Sequence, residues 1–306
     1  MIFSTREAHM KRLTRLLAAT ALVLAGGGGA AAVAAPPQPP PGLPLYLALG
    51  DSVANGQNSA APSDIDAYWA QVALWRQNGY VTPLRAYLKG ALNCLPAASP
   101  NAADGCKQLQ LTNLARSAVP PNGSNPGLNG VTTQSLIVEQ LPVAEATLTA
   151  RNKDANPRDN VQVVTLTVGG NEIFDAFQTQ DPARLQAALL TFIGNYNEIL
   201  ARLRAAAGPD MPIITMTYFN PLPYCGYAAY GDAANYVLEA LPTPYGTGLN
   251  GIIRNLSAAH GAVPAEVFGK LGAGDFFDCK HPNTSGYAKI TTAFEAAWQT
   301  AMARKG

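Results

Sequence analysis

Apolar runs alternate with amphipathic stretches along most of the chain, and this alternation predicts the order of strands and helices. Five short apolar runs are typical of buried parallel strands. We predict these strands over residues 45–50, 111–115, 161–168, 212–219 and 262–268. Apolar residues at helical spacing predict helices over 134–149, 182–207, 235–259 (broken by Pro242 and Pro244) and 285–303. Strands alternating with helices over this length predict a parallel sheet with helices on both faces.

The first 34 residues have the pattern of a secretory signal peptide. Lys11, Arg12 and Arg15 precede an apolar run over residues 16–24, and Ala32-Val-Ala34 offers a small-x-small cleavage site. The pattern predicts export, with a disordered tail as the alternative. Residues 35–44 are rich in proline, which predicts a stiff linker, and residues 45–306 are predicted to form one domain.

Charge and hydropathy narrow the classes of partner. Four of the 21 basic residues and one of the 20 acidic residues lie in the predicted signal peptide, so the remainder carries a net charge of about −2. Nucleic-acid binding needs a basic surface, so we expect no nucleic-acid partner. No stretch after the signal peptide predicts a transmembrane segment.

The four cysteines, Cys94, Cys106, Cys225 and Cys279, favour two disulfides because an even count is typical of exported chains. Three pairings are open. We favour Cys94–Cys106, which would close a short loop, and Cys225–Cys279, which would join two loops. A zinc site is the alternative, but the chain lacks CxxC and HxxxH spacing, so we predict no metal and no cofactor.

Candidate catalytic residues follow the predicted strands, where reactive sites of parallel sheets form. Ser52 follows the first strand, so we interpret its hydroxyl as a nucleophile and its own N–H as an oxyanion donor; a plain β-turn is the alternative. Asp278 and His281 follow the fifth strand. A carboxylate there can orient the imidazole as a general base, although such a pair also occurs by chance on surfaces.

A second group of polar residues has less certain roles in the sequence. Asn171 follows the third strand, and its amide can donate to an oxyanion; a helix cap is the alternative. His260 lies at a helix end, where a cation interacts favourably with the helix dipole, and we interpret it as structural.

Three motifs, Gly50-Asp-Ser52, Gly169-Gly-Asn171 and Asp278-Cys-Lys-His281-Pro, resemble in their order those of the GDSL/SGNH hydrolases. The resemblance covers the chain from about Leu45 onward. It implies a three-layer α/β/α sandwich with a flavodoxin-like, mainly five-stranded parallel sheet, and hydrolysis of esters or thioesters without a metal. It also implies Ser52 as nucleophile, His281 as general base, Asp278 as its orienting acid and Asn171 as an oxyanion donor.

The family's second motif, Asn-x-x-x-x-Gly-x-Thr, is interrupted in this chain. Asn113 matches its start, but Ala118 stands where the glycine is expected. Gly130-Val-Thr-Thr resembles the remainder, so we infer an insertion over residues 118–129. The resemblance then implies the N–H of Gly130 as an oxyanion donor, with Ala118 in reserve. Glu172 is a further departure, since the family usually has Asp there.

These observations predict a secreted, monomeric serine hydrolase that cleaves carboxylic esters through an acyl-enzyme. The expected substrate is a small-molecule or lipid ester. Aromatic residues over 68–75 and 224–245 form either a substrate rim or ordinary packing. An acyltransferase that uses the same acyl-enzyme and a catalytically silent exported binding protein are the alternatives.

Overall fold

The structure is a computed structural model that describes residues 43–92, 106, 108–121 and 126–304. The predicted signal peptide and most of the predicted linker lie outside these residues. So does Cys94, and with it the predicted Cys94–Cys106 bridge.

Seven strands are present in the described residues. They are β1 (Leu45–Gly50), β2 (Gln110–Asn113), β3 (Val161–Thr167), β4 (Ile213–Met216), β5 (Pro242–Thr243), β6 (Gly246–Thr247) and β7 (Val263–Ala265). β5 and β6 form a small antiparallel hairpin, and the other five form a sheet in the order β2-β1-β3-β4-β7. All four pairings in that sheet are parallel. The predicted five-stranded, flavodoxin-like parallel sheet is confirmed.

Nine α-helices accompany these strands in the described part of the chain. They are α1 (Ile65–Asn78), α2 (Val81–Ala91), α3 (Thr133–Glu139), α4 (Leu141–Asn152), α5 (Gly170–Gln178), α6 (Pro182–Ala207), α7 (Gly231–Asn235), α8 (Gly248–Ala259) and α9 (Thr284–Ala303). α2 packs on α1 and α9, whereas α6 packs on α3, α4, α5 and α8. These two groups form the outer layers of the predicted α/β/α sandwich.

The central strands of the sheet are buried because they are apolar on both faces. All six residues of β1 are buried, and six of the seven in β3. A second apolar cluster contains Tyr68, Trp75 and Val119. Tyr68 and Trp75 are fully buried, so the packing interpretation is right for these two aromatic residues.

Several elements differ from their predicted form. The helix expected over 134–149 is divided at Gln140 into α3 and α4 because Pro142, in the first turn of α4, has no N–H to continue the helix. The helix expected over 235–259 is interrupted by the β5–β6 hairpin, and only α8 remains as an α-helix. Helices α1, α2 and α5 were not predicted.

Among the described residues, no helix combines the length and the apolar character needed to cross a bilayer.

Candidate active site

The turn that carries Ser52 is anchored to the sheet and to the junction of α3 and α4. Gly50 has φ of +145°, and a β-carbon there would collide with the carbonyl oxygen of Thr167. The Gln140 amide accepts from the Gly50 N–H and donates to the Gly50 carbonyl, at 2.8 Å each. The N–H of Asp51 donates to the Thr167 carbonyl at 2.9 Å. Ser52 therefore lies in a turn over residues 51–56, and the next helix along the chain starts at Ile65.

Ser52, His281 and Asp278 contact one another in series. The Nε2 of His281 lies 2.9 Å from Ser52 Oγ. The Nδ1 of the same imidazole lies 2.8 Å from Asp278 Oδ2 and 3.0 Å from Oδ1. The three predicted catalytic side chains are thus brought within hydrogen-bond distance, and the serine and histidine are 229 positions apart in the chain.

The loop that carries Asp278 and His281 is held by its own backbone. Phe276 and Pro282 form an isolated antiparallel bridge, and the Phe277 N–H donates to the His281 carbonyl at 2.9 Å. Asp278 Oδ1 accepts from the backbone N–H groups of Lys280 and His281, at 2.7 Å each. The carboxylate is therefore fixed in place before it meets the imidazole.

The environment of Asp278 keeps this carboxylate ionised. Partial burial raises its pKa, but the hydrogen bond and charge of His281 and the two backbone N–H groups lower it. The balance leaves the pKa of Asp278 below its usual value. An ionised Asp278 can accept the Nδ1–H of His281, which leaves Nε2 free to take a proton from Ser52.

The predicted oxyanion donors Asn171 and Gly130 lie against each other. Asn171 is in the first turn of α5, and its Nδ2 donates to the carbonyl of Val131 at 2.9 Å. An amide nitrogen has two N–H groups, so a second one can serve a ligand. A β-carbon on Gly130 would come 2.9 Å from Asn171 Nδ2, so a glycine at position 130 leaves the amide undisturbed. Ala118, the reserve, is exposed.

The interrupted second motif is closed by contacts between its two halves. Val119 and Leu128 form an isolated antiparallel bridge with N–H···O distances of 2.8 and 2.9 Å. Arg116 donates to the Asn129 carbonyl at 2.6 Å and binds Glu139 through two nitrogens at 2.6 and 2.7 Å. The chain therefore leaves and returns at nearly the same place, and Gly130 follows directly.

Asp51 and Tyr218 form a buried pair beneath the nucleophile turn. Tyr218 donates its hydroxyl to Asp51 Oδ2 at 2.7 Å. Thr167 and the Val53 N–H donate to Oδ1 at 3.2 and 3.0 Å. Burial raises the pKa of Asp51, and these hydrogen bonds oppose that rise. No motif in the sequence pointed to Tyr218, because this tyrosine lies 167 positions from its partner.

Glu172, the departure from the family pattern, connects two helices. Its Oε1 accepts from the backbone N–H of Thr133 at 2.8 Å, which joins the first turn of α5 to the first turn of α3. Burial raises the pKa of Glu172 above its usual value, and the hydrogen bonds from Thr133 oppose this.

A disulfide joins Cys225 to Cys279, with the two Cα atoms 5.3 Å apart. This is the bridge favoured from the sequence. It connects the segment that follows β4 to the loop that carries His281.

An apolar cavity of about 100 Å³ opens beside Ser52. Asp51, Ser52 and Asn171 lie at its polar end. The apolar lining of this cavity comes from segments that are distant in the chain, so substrate-binding residues could not be assigned from sequence.

His260 lies at the end of α8, away from these residues. Its Nε2 is 2.9 Å from Asn197 Oδ1, and burial, followed by the nearby Arg204 charge, lowers its pKa. This contact agrees with the structural role inferred for it. Within the described ranges, no group of three or more histidine, cysteine or acidic residues is placed to hold a metal.

A profile of the family described as GDSL-like Lipase/Acylhydrolase matches residues 46–294. The chain belongs to this family. Membership makes the protein a carboxylic ester hydrolase, as the order of the three motifs predicted.

Solved structures similar to this GDSL-family chain have low sequence identity. A lipase from a goat rumen metagenome is 16% identical with a TM-score of 0.49, covering 83% of this chain and 96% of its own. An α/β hydrolase from the metagenome of Lake Arreo is 18% identical with a TM-score of 0.44, covering 84% and 95%. An acetylxylan esterase from Geobacillus stearothermophilus is 12% identical with a TM-score of 0.46, covering 83% and 93%. No curated protein matches the sequence significantly.

Proposed function

We propose that this GDSL-family hydrolase is an exported serine esterase with Ser52 as nucleophile, His281 as general base and Asp278 as its orienting acid. The observation that supports this is the series of contacts from Asp278 through His281 to Ser52, at 2.8 and 2.9 Å. The series ends at the mouth of an apolar cavity.

In the proposed mechanism, His281 takes the Ser52 proton as the serine oxygen attacks the ester carbonyl carbon. The carbonyl oxygen becomes an oxyanion that accepts hydrogen bonds from the N–H groups of Ser52 and Gly130 and from the Asn171 amide. His281 then gives its proton to the departing alcohol oxygen, which leaves an acyl-Ser52. Water gives a proton to His281 and adds to the acyl carbon. The bond from that carbon to Ser52 Oγ then breaks as His281 returns the proton to the serine oxygen, and the acid is released.

The Ser52→Ala variant tests the nucleophile. We expect it to fold normally and to lose p-nitrophenyl acetate hydrolysis and labelling by a fluorophosphonate probe, because no oxygen remains to form the acyl bond. Ser59→Ala is the matched control. The Ser59 hydroxyl accepts a hydrogen bond from the indole of Trp75 at 2.7 Å and lies outside the catalytic series. This variant should therefore keep both ester hydrolysis and labelling by the probe. Wild-type rates in Ser52→Ala would end the assignment. Products formed in added glycerol distinguish hydrolysis from acyl transfer.

Export is supported by the signal-peptide pattern over residues 1–34 and by the Cys225–Cys279 disulfide, since disulfides persist in oxidising compartments. The N-terminal sequence of the protein recovered from the culture medium or periplasm should begin shortly after Ala34. Recovery of an uncleaved chain from the cytoplasm alone would contradict export.

A further inference from the structure

The cavity beside Ser52 has two apolar walls from different parts of the fold. Helix α5 forms one wall with Ile173, Phe174 and Phe177. The other wall comes from the segment that follows β4 and from α8, with the lining residues Phe219, Pro221, Leu222, Ala234, Val237, Leu238 and Leu249. Apolar side chains dominate both walls: Ile173 and most of the second wall are buried, and Phe174 and Phe177 are half-buried. The cavity therefore suits a hydrocarbon group.

The position of the cavity relative to the reacting atoms identifies which part of an ester would occupy it. His281 must reach the oxygen of the departing alcohol in order to give it a proton. The alcohol part of the ester therefore lies on the His281 side of the carbonyl carbon. Ser52 and Asn171 line the cavity. Cys279 and Lys280, from the loop that carries His281, also line it, and the Lys280 ammonium lies 4.5 Å from the centre of the Phe174 ring. The His281 imidazole does not line it and instead lies 2.9 Å from Ser52 Oγ. With the imidazole outside the cavity and the proposed oxyanion donor Asn171 on its wall, the cavity is assigned to the acyl side of the bond that breaks.

A second depression continues the cavity toward the surface. Phe174, Phe177 and Leu222 line both the cavity and a groove of about 190 Å³. The groove ends at Tyr227 and Tyr230, whose rings are exposed. An extended chain that fills the cavity thus has an aromatic path outward between α5 and the segment after β4.

We propose that the cavity and groove form an acyl-chain site and that the enzyme prefers esters of medium-length straight-chain fatty acids. The inference rests on the proposed function. An apolar cavity of about 150 Å³ can enclose a six-carbon ring, so the cavity and groove, at about 100 and 190 Å³, have room for roughly six to ten carbons.

Burial of the chain predicts the size of this preference. Each methylene group that moves from water to an apolar wall should raise kcat/KM by at most about fourfold. An acetyl group reaches little of either wall, so acetate esters should be poor substrates relative to hexanoate and octanoate esters.

Two ester series with one part held constant separate the acyl from the alcohol site. In p-nitrophenyl esters from acetate to decanoate, below their aggregation limits, kcat/KM should rise from acetate to at least hexanoate by a total of ten- to a hundredfold. In alkyl acetates from methyl to hexyl, it should change less than threefold. A profile that is flat or highest at acetate in the first series would overturn the inference.

Ala234 and Ala233 offer a matched pair of variants on α7. Ala234 is buried and lines the cavity, whereas Ala233 is exposed. Ala234→Trp should fill the cavity and reduce the ratio of octanoate to acetate activity at least tenfold, and Ala233→Trp should leave that ratio unchanged. An unchanged ratio in folded Ala234→Trp would overturn the assignment of the cavity, as would a larger effect on the alkyl acetate series.

Phe177→Ala provides an independent test if Ala234→Trp does not fold. Phe177 lies where the cavity meets the groove, so its removal should shift the chain-length optimum, and an unshifted optimum would overturn the inference. Failure of the proposed function would look different, because p-nitrophenyl acetate hydrolysis would then persist in Ser52→Ala.

Discussion

Asn171 contributes an amide whose direction is fixed by one of its own two N–H groups. The hydrogen bond from Nδ2 to the Val131 carbonyl, at 2.9 Å, orients the amide, and the absence of a side chain on Gly130 leaves room for it. A donor that is already oriented needs no reorganisation as charge develops on the ester oxygen.

The Asn171→Ala variant should therefore lower kcat on the order of 10²–10³-fold, with little change in thermal stability beyond the loss of one hydrogen bond. Steady-state kinetics with a single p-nitrophenyl ester measure this. Asn195→Ala removes a comparable amide that donates to Thr133 Oγ1 at 3.1 Å and should leave kcat near the wild-type value. An unchanged kcat in Asn171→Ala would show that the residue acts only within the first turn of α5.

Asp278 links activity to the pH dependence of stability. Its pKa is lower in the folded protein than its usual value, so its stabilising contribution is present above about pH 3.9. That contribution is lost as the pH falls through the folded-state pKa. The Asp278→Asn variant lacks a carboxylate to titrate.

We expect Asp278→Asn to reduce kcat on the order of 10³–10⁴-fold, because His281 loses the acceptor that sets its tautomer. Thermal denaturation should show the wild type as the more stable protein at pH 7, with the difference narrowing below about pH 4. A stability difference that stays constant from pH 7 to pH 3 would contradict the link to this carboxyl group.

At the residue scale, the sequence was most informative where a polar side chain closely follows an apolar strand. Ser52 and Asn171 were singled out in this way, because parallel strands end at one edge of a sheet. His281 lies well beyond the end of β7 and was singled out by its spacing from Asp278. Tyr218 could not be located, since its role depends on the hydroxyl meeting Asp51 across 167 positions of chain. A local sequence pattern does not identify a contact between residues that are so far apart in the chain.

At the element scale, the junction of α3 and α4 supports the nucleophile turn. Gln140 lies between the two helices, and its buried amide bonds both the N–H and the carbonyl of Gly50 at 2.8 Å. A continuous helix would have no such junction residue.

Replacing Gln140 by Met should reduce the free energy of unfolding by about 3 kcal/mol, because two buried backbone groups of Gly50 lose their partner. Chemical denaturation measures this change. Gln134→Met is the control, because Gln134 is exposed and its hydrogen bond with Asn195 is 3.5 Å long. This control variant should leave the free energy of unfolding almost unchanged. Equal stability of the two variants would show that the bonds to Gly50 contribute nothing net.

The sequence located some strands and helices and missed others, and the difference has physical reasons. β1, β3 and β4 were found because they are short, apolar and buried on both faces; β2, with the sequence QLTN, is only half buried and was the weaker prediction. α6 was found with its bounds, Pro182–Ala207, because its apolar stripe is long and ends before a glycine. α1 was missed: its apolar and polar residues are poorly separated, and it is held partly by the Asp64 side chain, which accepts from the Ala67 N–H.

At the scale of the whole molecule, the Cys225–Cys279 bridge joins the segment after β4, which lines the cavity at Pro221 and Leu222, to the loop that carries His281. The bridge spans 54 positions of chain, a loop whose closure stabilises a folded domain by about 4 kcal/mol in the chain-entropy model. Its removal should therefore affect both stability and the position of the imidazole.

We expect a strong reductant to lower esterase activity at temperatures below the unfolding transition. The double variant Cys225→Ser/Cys279→Ser should have reduced activity from the start and should show no further loss when reductant is added. Parallel measurement of activity and circular dichroism distinguishes loss of the site from loss of the fold. Wild-type activity that is indifferent to reductant would contradict the role of the bridge.

The distance of 229 positions between Ser52 and His281 also affects how the protein is made. A growing chain contains its serine early, but the imidazole is added only when most of the polypeptide has been synthesised. Under the proposed mechanism, any fragment that stops before residue 281 lacks the general base, so we expect truncated chains to be inactive even where they retain all five strands of the main sheet.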